Sequence, residues 1–75
     1  MRTIRDIMKR REDMTDADVD ALFGDLRNDA LDWNPEYFSE ATLTDLLEDY
    51  FGLEPDYLFD AEFTAAVEGF GSRYE

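Results

Sequence analysis

The sequence predicts an all-α fold, a small single-domain bundle of three to four short amphipathic helices. Three observations predict it. Apolar residues recur at steps of three and four rather than two. Thr3, Thr15, Asn34 and Ser39 each precede an apolar stripe, and Gly52 follows one, as helix starts and stops require. Seventy-five residues with 44% hydrophobic content suffice for one modest core.

The elements follow in order. Thr3-Ile4-Arg5-Asp6 reads as a helix start, with Thr3 as N-cap and Asp6 at the third helical position. Ile4, Ile7 and Met8 share one face, and Arg5, Lys9 and Arg10 lie off it. A basic helical unit is therefore expected over residues 1–13, its helix spanning 4–12 and its apolar face docking on the remainder. Its cations sit toward the C-terminal end, where the helix dipole favours them.

Thr15-Asp16-Ala17-Asp18 repeats the start signal, and Val19, Leu22, Phe23, Leu26 and Ala30 continue as a helical stripe. A second unit over residues 15–31 follows, with Gly24 off the stripe at a cost of about 1 kcal/mol against Ala. Asn34-Pro35 supplies a cap and a Pro suited to a first helical position. Residues 35–38 are expected to form one turn, with Trp33 stapled onto the next element. Ser39 restarts the helix through Leu43, Leu46, Leu47, Tyr50 and Phe51, and Gly52 stops it in a left-handed conformation. This completes a unit over residues 35–51.

Glu54-Pro55-Asp56-Tyr57-Leu58 echoes Asn34-Pro35-Glu36-Tyr37-Phe38, and the echo continues at an offset of twenty, predicting a last unit over residues 55–70. It is compatible with a duplicated helical unit and with the pattern common to all capped amphipathic helices. Two units fall short of the three a solenoid needs. Gly69, Gly71 and Ser72 end the last helix, and Arg73-Tyr74-Glu75 reads as a tail. The expected core is Val19, Leu22, Phe23, Leu26, Leu43, Leu46, Leu47, Phe51, Phe63 and Val67. Tyr37 and Tyr57 are expected to pack half-buried under the helices that follow them; exposed interface anchors are the alternative.

Charge is divided unevenly. Residues 1–11 carry five cations and one acid, whereas residues 12–75 carry two cations and nineteen acids, for an overall charge of −13. Residues 28–72 hold twelve acids, no Lys or Arg, and nine of the eleven aromatic residues. Such asymmetry bears on association rather than on fold.

The residue inventory argues against catalysis. There is no Cys and no His, so no disulfide framework, no thiolate metal site and no imidazole acid or base. Ser39 and Ser72 are the only serines and have no imidazole to activate them. No Gly-rich phosphate loop exists, and Ser39 lacks the preceding Asp expected of a carrier-protein serine. Asp16-x-Asp18-x-Asp20 resembles the start of a calcium loop. However, Ala21 stands where Gly is needed, and Arg27 where Glu is needed. A non-enzyme without cofactor or metal is expected. No apolar run approaches the roughly 18 residues of a membrane span, and no secretory h-region opens the chain. A cytoplasmic monomer without membrane contact is the expectation.

The carboxylates remain to be explained. Asp25, Asp29, Asp32, Glu36 and Glu40 recur every three or four residues; Asp45, Glu48, Asp49, Glu54, Asp56, Asp60 and Glu62 continue the series. Like charges at helical spacing cost roughly 0.2–0.5 kcal/mol per pair. Three explanations compete. The acids imitate a nucleic-acid backbone, which in duplex DNA presents about one charge per 1.7 Å. Alternatively, with twelve Asp, eight Glu and one Lys, the chain is suited to high salt, where screening shortens to about 3 Å. Or it is an acidic adaptor for one basic partner.

In composition across residues 12–68 the chain resembles the small acidic, Cys-free DNA-mimic inhibitors of phages and mobile elements, the anti-CRISPR and anti-restriction class. That resemblance implies a cytoplasmic inhibitor, in the host cell if phage-encoded. Its partner would be a nucleic-acid-binding protein or complex with a basic groove, such as a CRISPR surveillance complex or a restriction enzyme, and it would not bind nucleic acid itself. The basic start, Arg2 to Arg11, departs from a uniformly acidic mimic; pairing with acids on the second helix, orienting the field and touching a second surface are its alternative roles. The expected partner-binding residues are Asp32, Glu36, Glu40, Asp45, Glu48, Asp49, Glu54 and Asp56.

Overall fold

Thr3 and Thr15 start the first two helices, as their sequences predict. The computed structural model describes residues 2–74. The Thr3 hydroxyl accepts from the Asp6 amide and opens α1, Ile4–Arg11. Thr15 and Asp18 form a reciprocal capping box at the head of α2, Asp16–Asp32. Between them Asp13 takes a left-handed conformation, φ 53°, which a short polar side chain tolerates. Pro35–Tyr37 forms a 3-10 turn behind the Asn34 cap. Ser39 then caps α3, Glu40–Phe51. Gly52 ends α3 at φ 66°, its amide donating to the Glu48 carbonyl at 2.9 Å. A second 3-10 turn, Pro55–Tyr57, leads to α4, Ala61–Val67, and a third covers Ser72–Tyr74. Among the described residues the fold is all-α, with four α-helices and no strand.

Helix α2 is the spine. α4 packs on it most extensively, and α1, α3 and the C-terminal turn also pack on it. Its buried residues Val19, Phe23, Leu26 and Ala30 follow the helical repeat. They meet Ile4, Ile7 and Met8 of α1, Leu46, Leu47 and Phe51 of α3, and Phe63, Ala66 and Val67 of α4. Phe23 and Phe51 pack with ring centroids 4.9 Å apart.

Leu22 and Leu43, expected in the core, are only half-buried at its edge, and Leu53 and Ala66 are buried in their stead. Sequence phase places a residue on the inner face but does not say how far the neighbouring helix extends over it.

Two expectations are corrected. Residues 72–74 are not a tail: the Gly71 amide donates to the Ala30 carbonyl at 2.8 Å, and Arg73 bonds Asp32 and Asn28 on α2. Trp33 meets Phe70 edge-on at 5.8 Å, and Phe38, at the end of the following turn, meets the same ring at 5.2 Å. Tyr37 is 66% exposed, whereas Tyr57 is half-buried as expected.

The twenty-residue echo holds for the two Pro-led turns and breaks at the caps. Ser39 caps α3, but its counterpart at the same offset is Phe59, which cannot cap; α4 starts one residue later, behind Asp60. α4 is also shorter, seven residues against twelve.

Candidate functional site

Two cations of the basic N-terminal helix, Arg5 and Lys9, pair within the fold, whereas Arg10 and Arg11 stand exposed. Arg5, half-buried, donates to both carboxylate oxygens of Glu62 at 2.8 Å, to Asp16 at 3.0 Å, and to Asp20. Lys9 adds a 3.2 Å bond to Asp16. This cluster joins α1, α2 and α4. It holds the Asp16 carboxyl below the usual carboxylate range, through the Arg5 hydrogen bond first and Lys9 second. The three carboxylates around it push the Arg5 guanidinium further up. The Asp16-Asp18-Asp20 series is thus accounted for: Asp16 and Asp20 serve Arg5, and Asp18 completes the α2 capping box.

One carboxylate caps two helices. Asp60 accepts from the Glu62 and Phe63 amides at the head of α4 through one oxygen, and through the other from the Ile4 amide of α1 at 2.9 Å.

The remaining acids are arranged differently. At 3.6 residues per turn, Asp18, Asp25, Asp29 and Asp32 fall within about 60° of arc on one flank of α2. Asp16 and Asp20 lie on the opposite flank, toward Arg5. On α3, Asp45, Glu48 and Asp49 occupy about 100° of arc, away from buried Leu46, Leu47 and Phe51. Tyr50 joins the two stripes. Its hydroxyl donates to Asp29, and Asp25 and Asp49 lie close enough to act on its charge. Burial first, then the bond to Asp29 and the charges of Asp29, Asp25 and Asp49, push the phenol up to about 12 from its ordinary 10.0.

All eight expected partner-binding acids, Asp32, Glu36, Glu40, Asp45, Glu48, Asp49, Glu54 and Asp56, are exposed. Asp32 is neutralised by Arg73; the other seven have no ion-pair partner among the described residues. Asp45, Glu48 and Asp49 share the outer face of α3. Glu36 and Glu40 precede that face, and Glu54 and Asp56 follow it, over a helix about 18 Å long. Sequence reasoning passed over Asp25 and Asp29 as contact residues. The signal that finds them is Tyr50, a polar-tipped ring on an apolar stripe whose hydroxyl must meet something on the facing helix.

No family model, curated protein or solved structure matches this chain.

Such a surface accepts hydrogen bonds and cations. Its exposed carboxylates, fixed on two helices, suit guanidinium and ammonium groups, for which charge-assisted bonds are the strong ones. No helix among the described residues is long and apolar enough to cross a membrane.

Proposed function

We propose that this protein is a non-enzymatic inhibitor that imitates nucleic-acid charge and occludes the basic DNA- or RNA-binding groove of an effector. One observation carries the reading. The Tyr50 hydroxyl of α3 donates to Asp29 of α2 and so brings the acid stripes of the two helices side by side, although like charges repel and α1 carries cations. Of these, Arg5 and Lys9 pair with Asp16, Asp20 and Glu62, and exposed Arg10 and Arg11 pair with none of the acids among the described residues. A repulsive face at the α2–α3 seam, with the internal counter-charge held at the α1 end, is suited to compensation by an external cationic groove.

The effector class is that of the CRISPR surveillance complexes and restriction enzymes, whose grooves bind nucleic acid through Lys and Arg. The experiment is competition between this protein and duplex DNA for such an effector across a salt series. Affinity is expected to fall steeply as salt rises from about 0.1 M to about 1 M, as screening shortens from about 10 Å to about 3 Å. Simultaneous occupancy by DNA, or affinity that stays flat with salt, would defeat the proposal.

The adaptor alternative gains one observation, the exposure of Tyr37. It predicts that Tyr37→Ala weakens binding more than removal of several carboxylates does.

A further inference from the structure

A second surface lies apart from the acidic seam. Phe38, Leu43, Leu58, Phe59 and residues of α4 line an open, shallow apolar groove of about 760 Å³. Phe59 is 92% exposed and Phe38 55% exposed, so two rings stand in solvent at its walls. None of its lining residues belongs to the acid stripes of α2 and α3. Thr64 and Ala65 line its α4 side, and both are exposed. Solvated rings at the walls of a concave apolar surface are what a docking site for an apolar anchor offers.

The charge around the groove selects the occupant. Glu68 lines it, and Glu36 and Glu40 flank the Tyr37–Phe38 wall in sequence. No Lys or Arg lines it; Arg27 lines a separate hollow together with Ala65 and Glu68. A second copy of the chain would bring another charge of −13 against these acids. The fold already displays what its acidic body accepts. α1 docks by Ile4, Ile7 and Met8, at helical positions i, i+3 and i+4, while Arg5 and Lys9 bond carboxylates beside them. We infer that the groove takes a basic amphipathic helix from a partner protein, seated by apolar anchors between Phe38 and Phe59 and flanked by Lys or Arg, as α1 is seated on α2 and α4. This helix-in-groove mode reads anchors at i, i+3, i+4 and i+7. The inference does not depend on the groove-occluding role of the acidic seam.

The probe is a synthetic amphipathic peptide with Leu at i, i+3, i+4 and i+7 and Lys or Arg on its flanks, titrated into the isotopically labelled full chain. Amide shifts are expected to concentrate at Phe38, Leu43, Leu58, Phe59, Thr64 and Ala65. Phe59→Ala should weaken the peptide about tenfold, the range of a modest hot spot. It should leave the melting temperature unchanged, because Phe59 is almost wholly solvated. Ala65→Arg should abolish binding without unfolding an exposed helix position. Asp45→Asn with Asp49→Asn should retain peptide binding even where it lowers affinity for a nucleic-acid effector, so the two readings fail separately. The inference is overturned if a scrambled peptide of the same composition binds equally well. It is equally overturned if the shifts map to Asp25, Asp29 and Asp49, or if the unliganded chain dimerises through Phe59.

Discussion

Tyr50 shows how one side chain can report on a whole surface. Its phenol is pushed up to about 12, while the unfolded chain has an ordinary tyrosine near 10.0. Because the folded value is the higher, the unfolded state loses its proton first as pH rises. The associated stability is complete below about pH 10 and is lost between about pH 10 and pH 12. Tyrosinate absorbance should show one phenol titrating late in the folded protein, and Tyr50→Phe should remove that phase. The two left-handed glycines give a second test at this scale. Gly52, at φ 66°, has open space where a Cβ would sit, so Gly52→Ala should cost about 1 kcal/mol from backbone strain alone. Gly71, at φ 74°, would place a Cβ 2.9 Å from the Pro35 Cα. Gly71→Ala should cost about 2–4 kcal/mol by urea denaturation, strain and overpacking together. The Gly52 stop was legible in the sequence because its signal is local. The Gly71–Pro35 contact was not, because it joins residues thirty-six positions apart.

At the scale of elements, local rules wrote most of the fold. Thr3, Thr15 and Ser39 cap the helices they were expected to cap, and Pro35 and Pro55 each begin a 3-10 turn. What escaped were the polar devices that tie α4 and the C-terminal turn to the rest. Asp60 looked like one more member of an acid series, yet it caps α1 and α4 together. Asp60→Ala should therefore cost about 2 kcal/mol, roughly twice a single cap of about 1 kcal/mol. Thr15→Ala, which breaks the cap of α2 alone, is the internal comparison. Arg73 sits in a sequence with no helical stripe, yet its guanidinium holds the C-terminal turn on α2 and removes Asp32 from the set of unpaired acids.

For the whole molecule, charge and stability should separate. Asp45 and Asp49 stand one turn apart on α3 with no cation between them. Asp49→Asn should raise stability by about 0.2–0.5 kcal/mol by relieving that pair, and should weaken binding to a basic-grooved effector. Denaturation and competition binding measured on the same variant would show the two effects in opposite directions. A substitution that improved both, or worsened both, would remove the case for a face kept repulsive by its partner. Composition alone indicated that acids dominate the surface, but not where they gather. Their convergence at the α2–α3 seam depends on the rotation of two helices about Tyr50, which no spacing within either helix encodes.

The long reach of the α1 contacts has a consequence for synthesis. Ile4 and Arg5 find Asp60 and Glu62 across separations of fifty-six and fifty-seven residues. A ribosome must therefore release the basic helix well before its two distant anchors exist. During that interval the apolar, cationic segment has only α2 to meet, through its apolar face and through Asp16 and Asp20. Closure of the bundle waits on translation of its last quarter.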